Sequence, residues 1–196
     1  MIYSVQKRVP GEMAADLRVL SRLAEGDDKF ASSFIMQERN WNHIASTPYN
    51  LLKTDRFSIP GAGIWSMHRG DQPVGLSGVY PLNKRIAVIG ARTWIVPAHR
   101  TQSLMGDLVF PIQEEFCRDH GYQFMIMTFA TNNLWLPRMI MRAASGKALQ
   151  LGRNNANFYS GWNEFEKLHM IQYTEQKVLW KSLNGSILNE TELNTR

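Results

Sequence analysis

A run of strand-forming residues stops at a proline, and an apolar stripe at helical spacing begins a few residues later: Ile95-Val96-Pro97-Ala98-His99-Arg100-Thr101-Gln102-Ser103-Leu104-Met105. A chain with this segment must turn from a strand into a helix, which points to a mixed α/β organisation. The first amides of a helix lack intrahelical acceptors and lie at the positive end of its dipole. A turn of this kind favours phosphate, so the segment is also the best clue to a ligand.

The rest of the chain supplies the sheet. A short first strand is expected over 1–9, with Ile2, Val5 and Val9 as its apolar residues. A helix follows over 12–25, carrying Leu17, Leu20 and Leu23 with Met13 behind them. Residues 27–53 are mixed, and Phe30, Phe34, Ile35, Trp41 and Ile44 within them could line a second helix broken near Asn40. Three strands over 63–69, 74–80 and 85–96 are separated by turns at 70–73 and 81–84, which makes an antiparallel meander. Gly75, Gly78 and Gly90 fall inside these strands, where glycine marks a bulge or a close backbone approach.

A helix over 102–120 is expected to kink or split at Pro111. The segment 122–131 is apolar nearly throughout and reads as a central strand buried on both faces. Asn132 and Asn133 offer caps for a helix over 134–145, with Pro137 in its first turn. Asn-rich 147–165 reads as loop, 169–173 and 177–183 as final strands, and 184–196 as a frayed polar tail. One domain over 1–183 is expected, with a mixed sheet flanked by helices.

Composition narrows the partners. A hydrophobic share of 44% and six tryptophans fit a packed core rather than disorder. The net charge of +5 comes from 22 basic and 17 acidic residues that form no block, so an anionic small molecule is favoured over nucleic acid. Five scattered histidines and one cysteine give no metal-ligand spacing. Cys117 sits on an apolar helix stripe and is expected to be buried and inert. Residues 1–10 lack the apolar core of a signal peptide, and no window reaches the ~18 apolar residues of a membrane span, so a cytoplasmic protein is expected. A homodimer is compatible with the sequence.

The order of elements, with a turn after the third meander strand, resembles the GNAT acyltransferase superfamily. The family's acyl-CoA segment runs apolar-apolar-Pro-x-aromatic-Arg-Gly-x-Gly-x-Gly and then helix. Residues 95–100 match its first half, while Thr101, Ser103 and Met105 stand where small residues or glycines are usual. Asn132 and Asn133 fall where the family tends to carry Asn after the next strand.

The resemblance implies an acyl-CoA N-acyltransferase, with acetyl-CoA the expected co-substrate, no metal, and a small-molecule or peptide amine as acceptor. Backbone near Ile95 and Val96 would pair with the pantetheine arm. Arg100 and the amides of Thr101, Gln102, Ser103, Leu104 and Met105 would hold the pyrophosphate, with Met105 crowding the approach. Arg138 and Arg142 lie one turn apart and could take the 3′-phosphate. Trp94 and Trp162 could line an acceptor pocket built by 27–60 and 147–165.

Two catalytic positions depart from the family. Residues 85–96 contain no Asp or Glu, and the usual Tyr on the helix after the Asn falls at Ile140. Tyr159 and Tyr80 are the candidate substitutes for protonating the leaving thiolate. Glu114 and Glu115 lie deep in a helix, His99 reads as a packing residue, and His68 reads as an exposed hairpin end. The absent Glu and Tyr keep open a second reading, a GNAT-fold binding or structural protein without chemistry.

Overall fold

The computed structural model describes residues 3–24, 57, 59–100, 104–131, 133, 135–146, 157–171 and 174–194. The mixed segment 27–53, with its expected second helix, lies outside them. The chain divides into two compact units, Met1–Tyr80 with Gly90–Val109, and Pro81–Ile89 with Phe110–Arg196.

The first unit is the expected meander with one helix. Strand β1 (Tyr3–Lys7) pairs antiparallel with β2 (Gly63–Arg69), and β2 with β3 (Gln72–Pro81). Strand β4 (Ile86–Ile95) follows, and its C-terminal half belongs to this unit. The β2–β3 turn is tighter than expected. Arg69 pairs with Gln72, and Gly70, at φ 60°, takes the left-handed conformation that a two-residue hairpin needs.

Helix α1 (Pro10–Leu23) starts two residues before the expected boundary. Pro10 is tolerated in the first turn, where its missing N–H has no partner to lose. Glu12 reaches back to accept the Val9 amide at 3.1 Å. The buried stripe is Met13, Leu17, Leu20 and Ala24, which are 3–4 residues apart, while Leu23 faces outward at 39% exposure. That stripe packs with Ile64, Leu76 and Trp94 in one apolar cluster.

Gly75 and Gly78 are close approaches, as expected. A Cβ on Gly75 would lie 2.8 Å from the Trp94 carbonyl oxygen, and one on Gly78 would collide with the Phe57 ring.

The second unit is built on β5 (Phe124–Ala130), whose Phe124, Met125, Ile126 and Met127 are all buried. This bears out a central strand covered on both faces. The N-terminal half of β4 pairs parallel with it at Ile86, Ala87 and Val88. On the other side, β8 (Thr174–Ser182) pairs antiparallel along its length. Strand β8 also carries β6 (Trp162–Glu164) and β7 (His169–Ile171). Strand β6 was expected to be loop, because three residues after an Asn-rich stretch give no periodicity.

The helix expected over 102–120 is split, as Pro111 implied. A π turn (Met105–Val109) gives way to helix α2 (Phe110–Asp119). Pro111 has no N–H to continue the ladder, and the wide turn falls immediately before it. Helix α3 (Trp135–Ala144) buries Ile140.

Residues 184–194 are not a frayed tail. Leu188 and Leu193 are 3% and 2% exposed, and Glu190–Asn194 form a 3-10 helix. Arg85 pairs with Glu192, and Arg118 donates to the Leu183 carbonyl at 2.7 Å. Two leucines and these pairs outweigh the polar composition that made the segment read as solvated.

Candidate functional site

Strand β4 changes character at Gly90. Its paired residues on β5 end with Val88, opposite Ile126, yet β4 runs on to Ile95. Gly90 has φ 63°, a conformation that glycine adopts without a Cβ penalty. Beyond it, β4 stays with β3: the Val96 amide donates to the Val74 carbonyl at 2.8 Å. The strand then ends in a 3-10 turn (Pro97–His99). The His99 amide donates to the Val96 carbonyl at 2.8 Å and the Arg100 amide to the Pro97 carbonyl at 3.2 Å. These two amides are therefore used within the turn.

Arg100 is bound back onto the strand it follows. Its Nε donates to the Ile95 carbonyl at 2.8 Å, and its guanidinium carbon lies 5.9 Å from the centre of the Trp94 ring. The cation is held in a fixed orientation at the end of β4 by a hydrogen bond and an aromatic face. The Ile95 oxygen, expected to pair with pantetheine, already accepts one hydrogen bond.

His99 packs edge-on against Tyr3, with ring centres 5.8 Å apart, and its Nδ1 lies 2.9 Å from the Tyr3 hydroxyl. This agrees with a packing role. Desolvation, and then the positive charge of Arg69, push the His99 pKa down, so the ring is neutral at pH 7.

The residues past the turn are anchored by apolar side chains. Leu104 is 3% exposed and joins Met67, Val74 and Val109, with Ile95, Val96 and Met105 packed against the same cluster. Met105, expected to crowd a phosphate, has its side chain against this core instead. The structure thus brings Ile95, Val96, Leu104 and Met105 together, with Arg100 tied to Ile95. Thr101, Gln102, Ser103 and Asn132 lie outside the described residues.

In the second unit, the Asn133 amide donates to the Ala130 carbonyl at 2.8 Å, closing the turn after β5. Arg138 and Arg142 are exposed on α3. Ile140, where the resemblance would place a Tyr, is fully buried.

The tyrosines are packed. Tyr80 is 5% exposed and meets Phe57 edge-on at 6.0 Å. Tyr159 is 4% exposed and meets Phe158 at 5.2 Å. Trp94 and Trp162 are buried as well, Trp94 in the α1 cluster and Trp162 donating to the Phe158 carbonyl at 2.9 Å. They are core residues rather than pocket walls. Cys117 is fully buried, and desolvation raises its thiol to about 12, which makes it inert as a nucleophile.

Two buried polar groups escaped the sequence reading. His68 is not an exposed hairpin end: it is 4% exposed and shares a face of β2 with Ile64, which packs against α1. Arg8 donates through Nη2 to His68 Nε2 and through Nε to Asp16 Oδ2, each at 2.8 Å. The same His68 Nε2 lies 3.4 Å from Asp16 Oδ2, so the three side chains form one polar cluster.

Lys181 is 7% exposed and donates to Glu114 Oε2 at 2.9 Å and to the Phe158 carbonyl at 3.1 Å. Glu114 also pairs with Arg118 at 2.7 Å, which makes it structural rather than catalytic. Alternation along β8 puts Lys181 on the same face as Leu179, a signal the sequence did carry. No group of three His, Cys, Asp or Glu that could hold a metal occurs among the described residues. No described helix is long and apolar enough to cross a membrane.

No protein-family model matches the chain, and no curated protein matches its sequence. Solved structures do match. A GNAT-family acetyltransferase of Staphylococcus aureus Mu50 superposes with a TM-score of 0.60 over 93% of this chain and 99% of its own, at 7% identity. The Salmonella typhimurium protein YncA, solved with its cofactor acetyl-CoA, gives 0.54 over 95% and 96%, at 9% identity. The PaiA N-acetyltransferase of Thermoplasma acidophilum, in complex with coenzyme A, gives 0.52 over 93% and 99%, at 9% identity. The chain has the fold of the GNAT acetyltransferases, with a sequence far diverged from these.

Proposed function

We propose that this chain, which carries the GNAT acetyltransferase fold, is an acyl-CoA-dependent N-acyltransferase that takes acetyl-CoA and an amine acceptor. The observation that carries this reading is the behaviour of β4. It leaves its paired register with β5 after Val88, turns at Gly90, and delivers an oriented Arg100 beyond Pro97. A strand that outruns its partner offers backbone for the amide-bearing pantetheine arm, and the cation behind it suits a pyrophosphate.

The residues that would hold the co-substrate are Ile95 and Arg100, with Val96 beside them bound through its own backbone to Val74 and His99, and with the backbone of Thr101, Gln102, Ser103, Leu104 and Met105 as further donors. The resemblance adds Asn132 and Asn133 as further candidates. The thioester supplies the activated acyl group. The chain's own part is to orient it and exclude water. Residues 85–96 carry no carboxylate, so this reading has the acceptor amine arrive neutral or lose its proton to a group outside that strand or to solvent. Positioning alone supports rate when the nucleophile is already neutral. The leaving thiolate has Tyr80 and Tyr159 as candidate proton donors. A cytoplasmic location belongs to the same reading.

The absent Glu and the Ile140 side chain favour a second reading, a protein that binds acyl-CoA without transferring the acyl group. Thiol release from acetyl-CoA, followed against a panel of primary amines and peptides, separates the two. Amine-dependent release is expected, strongest at alkaline pH, where more amine is neutral. Tyr80→Phe or Tyr159→Phe should lower it about a hundredfold if that phenol is the acid. Binding of acetyl-CoA without release from any amine would leave the second reading standing.

A further inference from the structure

Two hydroxyls meet beside the Gly90 turn. Ser77 Oγ lies 2.7 Å from Thr93 Oγ1, and Thr93 Oγ1 donates to the Gly90 carbonyl at 2.7 Å. A hydroxyl has one proton to give. Thr93 gives its proton to Gly90, so Ser77 must be the donor to Thr93. The direction is therefore fixed: Ser77, then Thr93, then the Gly90 oxygen. Ser77 is fully buried on β3. Leu76 and Trp94, the neighbours in sequence of this pair, face the α1 cluster. Alternation along a strand puts the hydroxyls on the opposite face.

The chain of hydroxyls ends on a carbonyl, which cannot pass a proton further. It is not a proton wire. Its effect is mechanical. Gly90 sits in the left-handed region, which interrupts the regular extended backbone of the strand. Thr93 is β-branched and stiff at χ1, and it ties back to the carbonyl three residues earlier. Ser77 then fixes the hydroxyl rotor from the neighbouring strand.

We propose that Ser77 and Thr93 are positioning residues that set the course of β4 from Gly90 to Ile95, and so set the backbone that receives the pantetheine arm of an acyl-CoA. This rests on the function proposed above. The turn beyond Pro97 has separate supports, the Tyr3–His99 contact and the cluster around Leu104. Loss of the hydroxyl pair should therefore affect pantetheine more than the nucleotide end.

Thr93→Val keeps the shape and removes the hydroxyl, and Thr93→Ser keeps the hydroxyl. Calorimetric titration of full-length protein with acetyl-CoA, and with adenosine 3′,5′-bisphosphate as a ligand lacking pantetheine, reads the difference. Thr93→Val should weaken acetyl-CoA about five- to tenfold and leave the bisphosphate within about twofold, and Thr93→Ser should restore wild-type affinity. Thermal midpoints measured alongside identify any variant that has failed to fold; Ser77→Ala, which leaves Thr93 in place, then serves as the second probe and should weaken acetyl-CoA in the same sense. Equal acetyl-CoA affinity in wild type and Thr93→Val, equal weakening by Val and Ser, or equal loss of both ligands would overturn the positioning role. Wild-type protein that binds no acetyl-CoA would overturn the proposed function as well.

Discussion

Arg100→Glu is expected to weaken acetyl-CoA binding by about ten- to a hundredfold, the factor of one or more charge-assisted hydrogen bonds lost and a repulsion gained. Arg100 is bound at the end of β4 by the Ile95 carbonyl and lies over the Trp94 face. A glutamate there can neither donate to that carbonyl nor rest against the negative face of an indole. Arg100→Gln serves as the control, because its amide can still donate while its charge is gone. Its affinity should fall between the other two. The effect should shrink as salt rises, since the ligand carries several negative charges. An unchanged dissociation constant in Arg100→Glu would mean that the phosphates lie elsewhere.

Glu114→Ala should be the most destabilising single change among the buried ion pairs. The Glu114 and Lys181 side chains are 14% and 8% exposed, and Lys181 Nζ also donates to the backbone oxygens of Asn157 and Phe158 and lies 5.7 Å from the centre of the Phe158 ring. Two carbonyls satisfy hydrogen bonds but do not neutralise a charge. Removing one partner of a buried pair costs about 3–5 kcal/mol. For a chain of this size that lowers the melting temperature by roughly 6–20 °C. Adding Lys181→Met should recover most of the loss, because the stranded charge is gone and the methionine fills similar space. A loss below about 1 kcal/mol in the single variant would show that Lys181 swings to water.

Much of the fold was legible because the signals were local. Gly70-Asp71 and the apolar strands beside it announce a hairpin, and the apolar run around Phe124–Phe129 announces a central strand. Pro111 marked the split in its helix correctly, since a missing N–H acts wherever it falls.

The failures share a different cause. Residues 184–194 are docked by two leucines and by partners such as Arg85 and Asn83, roughly a hundred residues away, which composition cannot foresee. His68 is buried because its face of β2 lies against α1, where Arg8 and Asp16 meet it, partners far away in the sequence. Strand β6 exists because β8 offers an edge, although its own three residues carry no pattern.

The candidate site was legible in part. The Pro97 turn and the flanking glycine were visible as residues, but the use of the His99 and Arg100 amides inside the turn was not. Neither was the Arg100 bond to Ile95, which depends on how the guanidinium folds back. The Ser77–Thr93 pair joins two strands and becomes visible only once β3 and β4 are side by side.

The most direct measurement is calorimetric titration of the wild-type chain with acetyl-CoA. One saturable site is expected, with a dissociation constant below about 1 mM and competition by coenzyme A. No heat at millimolar acetyl-CoA, with the protein folded by circular dichroism, would contradict an acyl-CoA site at the end of β4.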